Sequence, residues 1–137
     1  MASHDEFVLE ALGGARRGIL GTIGPEGQPH LVPIVFVVLA GGEIVTAVDH
    51  KPKSTRDLKR LRNIDRDPRV TLLVDEYDDD WSRLWWVRVD GLAHVSDVAP
   101  PGSNEALAEK YAPYRDSPPA GPWIVIEVVT LTSWTAT

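Results

Sequence analysis

The sequence predicts a mainly β protein, a small antiparallel β-barrel of six strands with helices inserted between them. Short apolar runs recur at the spacing of β-hairpins, and 11 glycines and 11 prolines supply the turns. Strands and helices do not alternate throughout, so a doubly wound parallel sheet is not expected. A length of 137 residues suits one domain with one core, and we expect that domain to span residues 1–137.

Each element is predicted from its local pattern. Apolar residues that alternate or run continuously between turn residues predict strands, and a capping side chain before an apolar stripe predicts a helix. Helices are expected over 3–12, 54–65 and 103–111, and strands over 17–23, 30–39, 43–48, 69–75, 85–95 and 123–132.

The second predicted strand is nearly all apolar from residue 31 to residue 39. Such a run is expected to be buried on both faces of a sheet or to lie at a contact between subunits. Pro33 lies within it. Because proline has no N–H group to donate to a strand ladder, we expect an edge strand or a bulge at this position.

Residues 51–66 form a basic segment in an acidic chain. They hold seven of the 14 Lys and Arg residues and two acids, whereas the whole chain has a net charge of −6. Lys51, Lys53 and Ser54 stand where the second helix is predicted to begin, and a helix N-terminus offers unpaired N–H groups to a phosphate. We therefore expect an anion site there, with His50 beside it. A solvated helix face next to an ordinary cap is the alternative.

The chain has five tryptophans, and two of them are adjacent. Side chains alternate along a strand, so Trp85 and Trp86 should face opposite sides of the sheet. One should enter the core, while the other must be covered by a ligand or a partner chain, or stay exposed. Together with the apolar second strand, the pair exceeds what a small barrel buries alone, which predicts a homodimer. Ordinary packing is the alternative for any single tryptophan.

Other kinds of site are not indicated. The acidic residues within 75–80 lack the spacing of a calcium loop, and the four histidines form no helical pair, so no metal site is expected. There is no Walker loop, dinucleotide fingerprint or serine elbow. No side chain stands out as a general acid or base, so an enzyme of this kind would rely on a cofactor.

The overall composition bounds the partners and the compartment. The acidic net charge argues against general nucleic-acid binding. No apolar run reaches the roughly 20 residues of a membrane helix, and the first residues lack a signal-peptide pattern. With no cysteine in the chain, we expect a soluble, cytoplasmic protein.

Four ordered motifs and one glycine carry a resemblance to a known family. The motifs are 27–33, 47–54, 67–74 and 78–88, with Gly91 following in a strand. The chain resembles the split-barrel flavin-binding superfamily of pyridoxamine 5′-phosphate oxidase. It is more closely similar to the short branch that uses the deazaflavin coenzyme F420. The similarity extends from about Arg17 to Trp134.

The resemblance implies a six-stranded split barrel, a homodimer, and two cofactor sites at the dimer interface. It also implies which residues contact the cofactor. They are Lys51, Lys53 and Ser54 at the phosphate, Thr46, Ala47 and Val48 on the strand before them, Val32, Pro33, Ile34 and Val35 along the ring system, and either Trp81 or Trp85 approaching the ring.

The activity that the resemblance implies is hydride transfer between F420 and an unsaturated or quinone-like small molecule. The chain lacks the C-terminal Arg-and-His segment with which the true oxidase binds its substrate, and this argues against oxidation of vitamin B6. Two alternatives remain open: an FMN-dependent oxidase or flavin reductase, and a cofactor-binding protein without catalysis.

Overall fold

The structure is a computed structural model that describes residues 2–48 and 58–137. In these residues the chain forms four α-helices and seven strands. The helices are α1 (Ala2–Gly14), α2 (Lys59–Arg66), α3 (Ser103–Lys110) and α4 (Pro113–Asp116). The strands are β1 (Gly18–Ile23), β2 (Pro29–Ile34), β3 (Val37–Val38), β4 (Ile44–Ala47), β5 (Arg69–Glu76), β6 (Trp85–Ser96) and β7 (Trp123–Thr135).

The strands form one antiparallel sheet, and its two edge strands, β2 and β3, follow each other in the chain. Their order is β2-β1-β5-β6-β7-β4-β3. Val35 and Phe36 alone separate β2 from β3, so three Cα–Cα steps of about 3.8 Å each reach from one edge of the sheet to the other. The sheet therefore curls until its edges meet, which is the half-barrel of a split barrel. The predicted mainly β class is confirmed.

The predicted count of six strands is wrong, because the second predicted strand is two strands. Its apolar run gives β2 and β3, which lie at opposite edges of the sheet. No turn residue marks the corner between them; the corner forms where Phe36 is fully buried in the core. The edge position predicted for Pro33 is confirmed, since β2 pairs with β1 alone among the described strands. The prediction that this run is buried on both faces is wrong for a single chain, because Leu31 is 68% exposed.

Helix α2 begins later than predicted. Leu58 has an extended backbone (φ −84°, ψ 147°), and its carbonyl accepts hydrogen bonds from the N–H groups of Leu61 and Arg62. The side chain of Leu58 packs against the main core, so a tertiary contact determines where the helix starts. The predicted cap at Ser54 lies outside the described residues.

Strand alternation sends side chains into two separate cores. The main core fills the inside of the curled sheet and is closed by α1 and α2, with Phe36, Leu20, Leu72, Val89 and Ile126 among its fully buried members. The second core lies on the outer face of β3, β4 and β7, under α3 and α4. It consists of Val37, Val45, Ala47, Leu107, Tyr111, Tyr114, Trp123 and Val125.

A bulge in β6 changes the pairing of β6 with β7. The register shifts between Asp90 and Gly91. A Cβ atom on Gly91 would lie 2.5 Å from the carbonyl oxygen of Glu127, so any other residue would have to push the neighbouring backbone away. Glycine at this point lets the two longest strands stay together across the bulge.

Candidate functional site

The curling of the sheet brings the end of β2 next to β4 and forms a groove of about 230 Å³. Two arginines complete the described walls of this groove, one before β1 and one in the first turn of α2. We call it the basic groove. Its described lining residues are Arg17, Pro33, Ile34, Val35, Thr46, Ala47 and Arg60.

Five of the residues that were predicted to contact a cofactor therefore meet in one place. Pro33, Ile34 and Val35 come from the end of β2 and the corner that follows it, and Thr46 and Ala47 come from β4. In the strand order β2 is one edge of the sheet, and β4 is next to the other edge. They meet because the sheet is curled.

Two further predicted contacts face the core instead of the groove. Val32 packs against the main core, as expected for the residue between outward-facing Leu31 and Pro33. Val48 is buried in the same core, and its N–H group donates to the carbonyl of Pro122 at 3.0 Å. Neither side chain is among the described residues that line the basic groove.

The tryptophans predicted to approach the cofactor lie elsewhere in the single chain. Trp81 is 69% exposed on a short 3₁₀ turn, and its Nε1 donates to the hydroxyl of Tyr77 at 3.3 Å. Trp85 packs edge-on against Phe7 of α1, with ring centroids 6.0 Å apart. Neither lines the described part of the basic groove.

The predicted phosphate-binding residues His50, Lys51, Lys53 and Ser54 lie outside the described residues. The chain enters that segment from β4 and leaves it just before α2. Both of these elements contribute walls to the basic groove, through Thr46 and Ala47 on one side and Arg60 on the other.

The charge of the basic groove is positive. Arg17 and Arg60 line it, and none of its described lining residues is acidic. His30 also lies on β2. Its pKa is lowered first by burial and then by the charges of Lys59 and Arg60. Neither arginine was predicted to be a contact: Arg60 belongs to the basic segment without being singled out in it, and no sequence motif singles out Arg17.

A hydrogen-bonded cluster stands behind the groove, at the corner between β2 and β3. We call it the Phe36 cluster; it consists of Arg16, Phe36, Lys110 and Tyr111. The Phe36 N–H donates to the Tyr111 hydroxyl at 3.2 Å, and the Lys110 ammonium donates to the Phe36 carbonyl at 2.9 Å. The Tyr111 hydroxyl lies 3.1 Å from the carbonyl oxygens of both Phe36 and Arg16, so its single proton serves one of them at a time.

The Phe36 cluster also holds two cations against aromatic rings. The Lys110 ammonium lies 4.2 Å from the centroid of the Phe36 ring, and the Arg16 guanidinium lies 4.9 Å from that of Tyr111. Burial, and then the nearby charge of Arg16, lowers the pKa of Lys110 to about 8. Burial raises the pKa of Tyr111.

A second groove, of about 640 Å³, lies on the outer face of the sheet across β1, β2, β5, β6 and β7. Its lining is mostly apolar, with a half-buried polar pair in which Thr71 Oγ1 donates to Asp90 at 2.8 Å. Large apolar side chains stay exposed on and around it. We call them the outer apolar face: Leu31, Leu73, Leu92, Val129 and Trp134.

The described residues show neither a metal cluster nor a membrane-spanning helix. These residues contain no group of three or more His, Asp or Glu side chains placed to hold a metal ion. In residues 2–48 and 58–137, no helix is both long enough and apolar enough to cross a membrane.

A curled antiparallel sheet with a groove where its edges meet is the architecture of split-barrel proteins. The family model described as pyridoxamine 5′-phosphate oxidase matches residues 4–135, and the chain belongs to that family. The family-level resemblance read from the sequence motifs is thereby confirmed. The narrower assignment to the F420 branch stays a prediction.

Solved structures with this fold include a hypothetical protein, an FAD-binding protein and a haem storage protein. The conserved hypothetical protein Rv2991 from Mycobacterium tuberculosis is 26% identical, with a TM-score of 0.74 over 96% of this chain and 84% of that chain. An FAD-binding protein from Mycobacterium smegmatis is 20% identical, with a TM-score of 0.63 over 94% and 93%. The haem storage protein HutZ from Vibrio cholerae is 14% identical, with a TM-score of 0.69 over 98% and 92%.

Proposed function

We propose that this protein is an F420-dependent oxidoreductase that holds its cofactor in the basic groove. The observation that carries the proposal is the meeting of β2, β4 and two arginines at the closing edges of the sheet. The substrate we propose is an unsaturated or quinone-like small molecule. A cytoplasmic location is part of the proposal, and cell fractionation tests it.

The residues of the basic groove fit a cofactor that joins an anionic group to a flat apolar ring. The guanidiniums of Arg17 and Arg60 suit a phosphate, since arginine donates several hydrogen bonds from a planar fork. Pro33 and Val35 offer an apolar wall, and the hydroxyl of Thr46 offers a polar contact. We propose that Lys51, Lys53 and Ser54 add the remaining phosphate contacts.

The chemistry divides between the cofactor and the chain. A bound deazaflavin would supply the hydride-transfer chemistry itself. The chain would anchor the anionic end through its basic residues, orient the ring along the end of β2, and exclude water from the reacting face. This division agrees with the lack of any evident general acid or base in the sequence.

The basic groove of one chain is too small to enclose such a cofactor. Its volume of about 230 Å³ lies below the roughly 300–1,000 Å³ of typical ligand pockets. We propose that a second copy of the chain completes it. Pro33 shares the outward side of β2 with Leu31, so the groove continues into the outer apolar face, which we propose as the dimer contact.

Titration of the purified protein with F420 and FMN, followed by tryptophan fluorescence, tests the cofactor site. Loss of one charge-assisted hydrogen bond in Arg17→Ala should weaken F420 binding about tenfold or more. The matched control is Arg66→Ala, which removes the same charge from the far end of α2. If wild-type protein binds neither cofactor at tens of micromolar, the proposal fails. If Arg66→Ala weakens binding as much as Arg17→Ala, the groove is not the site.

A flavin is the second candidate cofactor. The structural likeness to the FAD-binding protein from M. smegmatis and to a second FAD-binding protein, from Mesorhizobium loti, favours it. A yellow protein with a flavin absorbance band after purification would support this alternative over F420. A Soret band instead would favour a haem-binding protein without oxidoreductase activity, in line with the likeness to HutZ.

A further inference from the structure

No described strand pairs with the buried backbone of the corner between β2 and β3. Phe36 is fully buried, so its N–H and carbonyl groups would lose free energy if they had no hydrogen-bond partner. Both partners come from the C-terminal end of α3 and the residue after it, about 75 residues further along the chain. The Tyr111 hydroxyl accepts from the Phe36 N–H, and the Lys110 ammonium donates to the Phe36 carbonyl.

The same two residues also hold the chain just before β1. The Arg16 guanidinium donates to the carbonyl of Lys110 at 2.9 Å, and the Arg16 carbonyl oxygen lies 3.1 Å from the Tyr111 hydroxyl. One short segment, Lys110 and Tyr111, therefore contacts two stretches of backbone that are far apart in sequence.

Each of these two stretches carries a wall residue of the basic groove immediately beside its attachment. Val35 precedes Phe36 and Arg17 follows Arg16, and both line the groove. Lys110 and Tyr111 themselves are not among its described lining residues. Lys110 and Tyr111 therefore contact the chain directly beside an apolar wall residue and directly beside a cationic wall residue of the groove.

We propose that Lys110 and Tyr111 are positioning residues of the basic groove, which fix Val35 relative to Arg17 by holding Phe36 and Arg16. This inference rests on the proposed function insofar as the groove binds a cofactor. A site binds tightly when its contacting groups are held in place by a supporting shell, and a small displacement of either wall weakens the fit. Helix α3 therefore contributes to ligand affinity without touching the ligand.

The test compares Tyr111→Phe with Leu107→Ala. The first keeps the ring and removes the hydroxyl that contacts Phe36 and Arg16, while the second makes a cavity in the core that holds Tyr111 and keeps every polar group of the Phe36 cluster. Affinities for F420 and FMN are measured together with the denaturant midpoint of each variant. We expect Tyr111→Phe to weaken affinity about fivefold or more, and Leu107→Ala to change it less than about twofold although it lowers stability more.

A second readout follows the groove without any ligand. Backbone amide hydrogen exchange should become faster at Phe36 in Tyr111→Phe, but not in Leu107→Ala, because only the first variant removes the hydroxyl that accepts from the Phe36 N–H. Unchanged exchange at Phe36, or equal loss of affinity in the two variants, would overturn the positioning role. If wild-type protein binds neither F420 nor FMN, the proposed function fails, while the exchange result still decides whether α3 sets the groove walls.

Discussion

The outer surface of the sheet has two halves: helices cover one of them, and no described helix covers the other. Over β3, β4 and the first part of β7, helices α3 and α4 cover the apolar side chains, so that Val45 has no exposed area and Val37 has 3%. Over β2, β5, β6 and the rest of β7, no described helix covers the sheet, and Leu31 and Val129 are 68% and 63% exposed.

The covered half stabilises the single chain, whereas the bare half offers a surface for assembly. Apolar groups of similar size occupy both halves, but only the covered half removes them from water within one chain, so only that half stabilises the monomer. A contiguous exposed apolar surface on a small protein marks an interaction site. The basic groove lies where one edge of the bare half meets the covered half, since Pro33 belongs to β2 and Thr46 to β4.

The largest expected effect is in the covered half. Leu107 has no exposed area and is surrounded by the second core. Leu107→Ala removes its packing and leaves a cavity, so it should lower the free energy of unfolding by about 2–5 kcal/mol in urea titrations. The dimer contact proposed for the other half should persist under native conditions. A loss of dimer in this variant would show that the two halves are not independent.

Substitutions in the bare half should change the oligomeric state and leave the stability of the monomer nearly unchanged. Aspartates in place of both Leu31 and Leu92 put two charges on the outer apolar face, where they would be buried without partners in a dimer. Light scattering should show wild-type protein at about twice the chain mass of 15.1 kDa, and the double variant at the single-chain mass.

The control for that experiment is Leu9→Asp. Leu9 is 56% exposed on α1, away from the outer apolar face, so the same substitution there should leave the dimer mass unchanged. The charged variants should each change the unfolding free energy of the monomer by only about 0.5 kcal/mol, as for other exposed positions. A monomeric wild-type protein would contradict the proposed dimer and the shared cofactor site with it.

The sequence predicted the sheet well where side-chain alternation is local. Strands β1, β5, β6 and β7 begin within one residue of their predicted positions because each is bounded by turn residues. The corner at Phe36 was missed for a physical reason: its determinant is not a local Gly or Pro but the hydroxyl of Tyr111, a residue far along the chain. The start of α2 was missed similarly, since Leu58 is anchored by the core.

The candidate site shows the same limit. The resemblance named Pro33, Ile34, Val35, Thr46 and Ala47, and the curled sheet gathers them. Arg17 stands in no recognisable motif, and its position in the groove depends on how the two sheet edges meet. Which residues line a groove between distant strands is a property of the tertiary fold, and period-2 alternation reports only which side of a strand a residue faces.

The smallest expected effect concerns Lys110, which lies between the covered half of the sheet and the basic groove. The pKa of Lys110 is lowered from 10.5 to about 8 in the folded protein, first by burial and then by Arg16. The unfolded chain therefore holds a proton on this lysine between pH 8 and 10.5 that the folded chain has released. Stability from this group must rise with pH across that window, and it is constant below pH 8.

Partial exposure of Lys110 reduces the size of this rise to about 1 kcal/mol. The raised pKa of Tyr111 acts in the opposite direction once unfolded tyrosine begins to ionise near pH 10, so the window to measure is pH 8 to 9.5. Urea unfolding at several pH values should show the rise in wild-type protein and in Lys59→Met, which changes an exposed lysine on α2. Lys110→Met should remove it, because the remaining side chain does not titrate. A rise of the same size in Lys110→Met would mean that the amine at the boundary of the two halves is not desolvated by the fold.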